Sequence, residues 1–152
     1  MKRWLKVALN IMVIALITIQ FFPAQTNTGK TVEEMDFIRL TEPPDRIGKK
    51  ILAACYDCHS NSTEYPWYSN VQPFGWLLQY HIDLGKKELN FSEYGDYSDR
   101  RKHMKLNSSI SQIEDDKMPL LSYRVMHSEA RLSEQEKKEL VNYLTMLKDK
   151  LE

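Results

Sequence analysis

The chain has 152 residues, with 21 basic and 21 acidic side chains and a formal net charge of zero. That length suits one domain with a modest core and a short terminal extension. Lys2, Arg3 and Lys6 gather ahead of an apolar run, which leaves the body acidic by three charges and argues against nucleic acid as a partner.

From Val7 to Phe22 the sequence VALNIMVIALITIQFF carries no charge. Set between three basic residues and Pro23, it reads as a signal peptide or an uncleaved signal anchor. Sixteen helical residues reach about 24 Å, short of a ~30 Å hydrocarbon core, with Trp4, Leu5 and the stem of Lys6 available to lengthen the run. Phe21-Phe22-Pro23-Ala24-Gln25 offers no A-x-A-like processing site, which favours a retained transmembrane helix over residues 1–24. The basic cluster then puts the N-terminus in the cytoplasm. The expectation is a single-pass protein of the cytoplasmic (inner) membrane with its folded domain on the periplasmic side.

Residues 25–43 read as a tether, because Ala24 to Lys30 is small and polar and Pro43-Pro44 ends any short helical turn within Thr31 to Leu40. The domain proper is expected over residues 44–152. Asp45 is expected to cap a helix in which Ile47, Ile51, Ala54 and Cys58 recur at helical spacing.

That helix carries Cys55-Tyr56-Asp57-Cys58-His59, which holds the only two cysteines of the chain. Two cysteines three apart with a histidine directly after the second is the spacing for covalent attachment of a c-type haem. On a helix, positions 55, 58 and 59 project to one side. Two thiols there can bond the vinyl-bearing edges of the macrocycle while the His59 imidazole reaches the iron. A structural zinc site would need a second pair of nitrogen or sulfur ligands, and a thioredoxin-like pair would need a βαβ context; the sequence shows neither.

The run SNSTEYPWYSNVQP after His59 reads as an irregular loop. Its Trp67 and Tyr68 are candidates for the aromatic wall of a planar apolar ligand, beside the plainer reading of a small satellite core. Pro73 opens an apolar helix, FGWLLQYHIDLG, expected to stop at Gly85, and His81 within it reads as an ordinary hydrogen-bonded histidine. Leu89 to Tyr94 with Tyr97 reads as another aromatic loop. Ser98 or Asp99 opens a helix in which Leu106, Ile110 and Ile113 share a face, and Arg100 to Lys105 reads as its solvated side. Met118 follows in a loop that can deliver its soft thioether opposite His59, stiffened by Pro119; His127 is the alternative distal ligand. Ser133 and Glu136 form a capping box ahead of a stripe of Leu140, Leu144, Leu147 and Leu151.

The run CYDCHSNSTEYPWYSNVQP, the segment from Gly85-Lys86 to LNFSEY, and KMP with Tyr123, His127 and the LSEQE helix resemble the bacterial haem-binding-domain family of c-type cytochromes. The resemblance covers residues 43 to 150. That family is similar to class I cytochromes c, and the resemblance implies thioether bonds at Cys55 and Cys58, His59 as proximal ligand and Met118 as distal ligand. Lys86 stands where an arginine is common in the family, and Tyr94 where a tryptophan is common.

Together these readings predict an all-α, cytochrome c-like domain around one haem c per chain, preceded by a transmembrane helix. Its expected role is electron transfer in the periplasm with redox partner proteins rather than catalysis, since no paired carboxylate or nucleophile signature accompanies the histidines. The alternatives are a haem-based sensor with an open distal site and a zinc-stabilised interaction module.

Overall fold

In the computed structural model, which describes residues 3–27 and 29–151, regular structure is helical throughout, and no strand occurs among those residues. Met1, Lys2 of the basic cluster, Thr28 of the polar stretch and Glu152 lie outside the described residues.

Helix α1 (Arg3–Ile19) has 17 residues, all of them at least partly exposed. At 1.5 Å per residue it reaches about 25 Å. Among the described residues no helix is long and apolar enough to cross a membrane. This overturns the expected transmembrane helix, and with it the single-pass placement in the cytoplasmic membrane. The physical reason lies at the end of the helix. There the backbone tightens, with the N–H groups of Gln20, Phe21 and Phe22 donating to the carbonyls of Ile17, Thr18 and Ile19, and the Gln20 side chain meets Gln72, whose N–H donates to Oε1 (2.9 Å) and whose carbonyl accepts from Nε2 (3.0 Å). Trp76 Nε1 then donates to the Phe22 carbonyl at 2.8 Å. The apolar run thus divides between a helix and a turn pinned to the domain.

The polar stretch after α1 is stitched to the loop behind the cysteine motif. Asn27 Nδ2 donates to the Ser60 carbonyl and to Thr63 Oγ1, both at 2.8 Å, while Asn61 Nδ2 donates to the Lys30 carbonyl at 2.9 Å. Small polar residues lack an apolar face, yet they carry enough donors and acceptors to satisfy a buried loop.

Helix α2 (Phe37–Thr41) is capped by Asp36, whose Oδ1 accepts from the Ile38 N–H at 2.9 Å. After Pro43-Pro44 the chain enters α3 (Asp45–Ile51), where Pro44 is the cap residue and Asp45 the first helical residue, favourable to the helix dipole rather than capping by hydrogen bond. The helix continues through a π turn (Leu52–Tyr56) into α4 (Asp57–His59). Wide turns of this kind recur at functional sites, and here it carries Cys55.

Helix α5 (Phe74–Glu88) runs three residues beyond the expected stop at Gly85. Gly85 is an interior residue with a packing purpose: a Cβ there would lie 2.5 Å from the Cys58 carbonyl oxygen and 3.1 Å from its carbon. Absence of a side chain lets α5 seat against the motif backbone.

Helix α6 (Asp99–Glu114) is capped by Ser98. It ends in a left-handed residue, Asp116 (φ 58°), with Asp116 N–H donating to the Ile113 carbonyl and Lys117 N–H to that of Gln112. This is the Schellman arrangement, and the Met118 N–H also donates to the Gln112 carbonyl, at 3.0 Å. Helix α7 (Leu121–Met126) follows, and α8 (Glu134–Asp149) opens on the complete Ser133/Glu136 capping box.

The core joins Ile51, Leu106, Ile113, Leu140 and Leu144 to an aromatic cluster built by the segment expected to be a loop. Phe91 stacks on Tyr56 (5.1 Å, 6°) and meets Phe37 at 4.9 Å, while Tyr94 meets Phe37 edge-on at 4.9 Å. Leu89, Phe91, Tyr94 and Tyr97 are all buried, so this short 3-10 segment is structural core rather than connector.

Candidate haem site

Packing α6 and α8 against the α3–α4 stretch leaves an apolar cavity of about 330 Å³. Cys55, His59 and Met118 line it together, with Ile51, Leu89, Phe91, Leu106 and Leu144 among the walls. Three of the donors singled out in the sequence therefore meet in one space. Cys58 is not on the lining.

His59 is oriented by backbone. Its Nδ1 lies 3.0 Å from the Leu89 carbonyl. A carbonyl only accepts, so Nδ1 carries the hydrogen and Nε2 keeps its lone pair, which is the tautomer a metal-binding imidazole needs. Burial pushes the His59 pKa down, against the opposing pull of the Leu89 and Gly85 carbonyls, and favours the neutral ring. Phe91 holds the ring edge-on, 6.2 Å between centroids.

Burial also governs the thiols. It pushes Cys55 up to about 12, helped by the charge of Cys58, and Cys58 up to about 11, helped by Asp57. Both stay protonated near neutrality, unlike the thiolates of nucleophilic or redox-active pairs. Asp57, between them, is held at both oxygens: Oδ1 accepts from the Glu64 N–H (2.9 Å) and Oδ2 from the Tyr123 hydroxyl (2.5 Å).

Met118 reaches the cavity because the end of α6 anchors its N–H and Pro119 turns the chain toward α7. Trp67 and Tyr68 lie outside the cavity. Trp67 is 75% exposed, and Tyr68 Oη bonds His127 Nε2 at 2.9 Å. His127 Nδ1 in turn contacts Glu129 Oε1 at 3.1 Å, so both of its nitrogens are engaged. It lines a second cleft that shares no residue with the first. His81 lines neither of these two. Lys86 donates to Asn27 Oδ1 at 2.6 Å, and Tyr94 sits in the aromatic core, so neither touches the cavity.

Sequence reasoning passed over the Leu89 carbonyl, Phe91 and the Tyr123–Asp57 bond. The only hint was Asn90-Phe91-Ser92, where an Asx turn was legible: Asn90 Oδ1 accepts from the Ser92 N–H at 3.1 Å and so fixes the segment that presents Leu89.

A neutral imidazole, a thioether and a thiol around one apolar cavity, with a second thiol one helical turn away, are a donor set that fits a haem. A helical fold that assembles them defines a haem protein. The chain belongs to the haem-binding domain family, which it matches over residues 14–146, a span that begins within α1. No curated protein matches it, and no solved structure does.

Proposed function

We propose that the chain is a monohaem c-type electron carrier, in which Cys55 and Cys58 would hold the haem by thioether bonds and His59 and Met118 would bind its iron. The observation that carries this reading is the shared lining of one apolar cavity by Cys55, His59 and Met118, with His59 Nδ1 already engaged by Leu89. Each thiol would add its S–H across a vinyl double bond, an addition with no net oxidation. The bound haem supplies a one-electron couple; the chain holds it, excludes water from its faces and sets the potential through the ligand pair. Thioether ligation raises that potential, which suits a carrier exchanging electrons with protein partners rather than an enzyme.

The test is expression with a haem c attachment system, followed by denaturing electrophoresis. The wild type should keep its haem, and Cys55→Ala with Cys58→Ala should lose it. Haem that washes out of the wild type on denaturation sinks the proposal. Carbon monoxide added to the reduced protein should leave the visible bands in place; a large shift would favour a sensor with an open distal site.

A further inference from the structure

Polar side chains on the cavity are not spread around it. Apart from Cys55 and His59 they are Glu88, Lys105, Ser108, Ser109 and Gln112, four of them on a single face of α6. Lys105 is the only cation among the lining residues. Its side chain is 24% exposed, whereas that of Glu88 is 76% exposed, so the two meet at the mouth with Lys105 the more shielded. Their contact, Lys105 Nζ to Glu88 Oε2, is 3.4 Å, long for a charge-assisted hydrogen bond and of the exposed kind that contributes little. Such a pairing is readily exchanged for a better anion.

A haem fixed at its vinyl-bearing edge carries two carboxylates on the opposite edge. Those charges need water or a cation, and an apolar wall supplies neither. Lys86 is turned away to Asn27, and Lys102 pairs with Asp99. We propose that Lys105 is the carboxylate anchor of this cavity: it releases Glu88 and pairs with a haem propionate, with Ser108 and Gln112 on the same wall as hydrogen-bond donors. This rests on the haem reading above and assigns the orientation of the macrocycle, thioether edge at the π turn and α4, carboxylate edge along α6.

The experiment uses the full chain with covalently attached haem. Redox-induced infrared difference spectra report the propionate carboxylate bands, and titration reports the midpoint potential. Lys105→Met should shift the propionate bands and lower the electron affinity of the haem roughly three- to tenfold, a fall of about 30 to 59 mV for one electron, because loss of a nearby cation favours the ferric state. Lys105→Arg should restore both values, and Lys102→Met and Glu88→Gln should leave the bands in place. Lys105→Gln carries the same test if the Met variant does not fold. Propionate bands and midpoint that ignore loss of the Lys105 charge overturn the anchor, as do bands that move with Glu88→Gln instead. A wild type that keeps no haem on the denaturing gel overturns the haem reading itself, a separate result.

Discussion

Tyr123 donates its hydroxyl hydrogen to Asp57, and in doing so ties the helix after Met118 to the turn between the two cysteines. One hydrogen bond thus spans the segment carrying the proposed distal ligand and the segment carrying the proximal one. The Tyr123 phenol is pushed well above its ordinary pKa, first by burial and then by this bond to a carboxylate, so it remains a donor across the physiological range.

Tyr123→Phe deletes that bond and keeps the ring that stacks on His127 at 4.1 Å. Hydrogen bonds to charged groups contribute ~1.5–3 kcal/mol, and partial exposure of this one brings the expected loss to about 1–2 kcal/mol. Urea unfolding should show a lower midpoint with an unchanged slope. An unaltered midpoint would mean the two segments are held together by packing alone.

Gly85→Ala sets two effects against each other. Alanine gains about 1 kcal/mol of helix propensity over glycine, whereas its Cβ meets backbone atoms of Cys58 that cannot swing aside. Overpacking of this kind costs ~1–3 kcal/mol, so the variant should be net destabilised and should attach haem less completely. Equal or greater thermal stability would contradict the close approach.

Met118→Ala should remove the thioether–iron charge-transfer absorption, lower the midpoint potential and admit carbon monoxide. His127→Ala and His81→Ala should do none of these. If instead His127→Ala turns the iron high-spin and Met118→Ala is silent, the carrier has two histidine ligands and a lower potential.

What the sequence disclosed and what it hid divide along physical lines. The cysteine motif, the capping box and the leucine stripe are local patterns, and local patterns survive without knowledge of neighbours. Gly85 is ambiguous in the sequence because a glycine near the end of an apolar run has two uses, stopping a helix and admitting a neighbour, and only the position of Cys58 decides between them. The apolar run at the N-terminus meets a composition rule, but its end tightens into a turn at Gln20, whose side chain bonds Gln72, a partner 52 residues away. Trp67 and Tyr68 follow the motif closely in sequence, yet their loop carries them to the side of His127. Lys105 stands among four other basic residues on one helix, Arg100, Arg101, Lys102 and His103, and which of them faces inward is set by the rotation of α6 against α8.

The α8 cap predicts a pH response. Glu136 is held down at about 2, chiefly by the Ser133 backbone N–H and then by the Ser133 side chain, with Lys50 adding to it. A carboxylate depressed in the folded state stabilises above its ordinary pKa near 4.5 and loses that contribution as pH falls toward 2. Ser133→Ala keeps that backbone donor and loses only the side-chain one, at a cost of about 1 kcal/mol at pH 7, whereas Glu136→Gln should flatten the acid limb of the stability profile between those values. Parallel wild-type and Glu136→Gln profiles across that range would rule out the cap as its source.

The acceptor that orients His59 is a main-chain carbonyl. Side-chain mutation cannot delete it, since all twenty residues at position 89 bring the same group. Inheritance therefore has little purchase on the imidazole side of the cavity, where change can tilt the segment but never strip it of its acceptor. On the Met118 side the main-chain bond from the Met118 N–H to the Gln112 carbonyl is joined by a side-chain tie, Tyr123 to Asp57, which a single codon change can remove. Variation among descendants of this chain should accordingly loosen the Tyr123 tie beside Met118 more readily than it strips His59 of its acceptor.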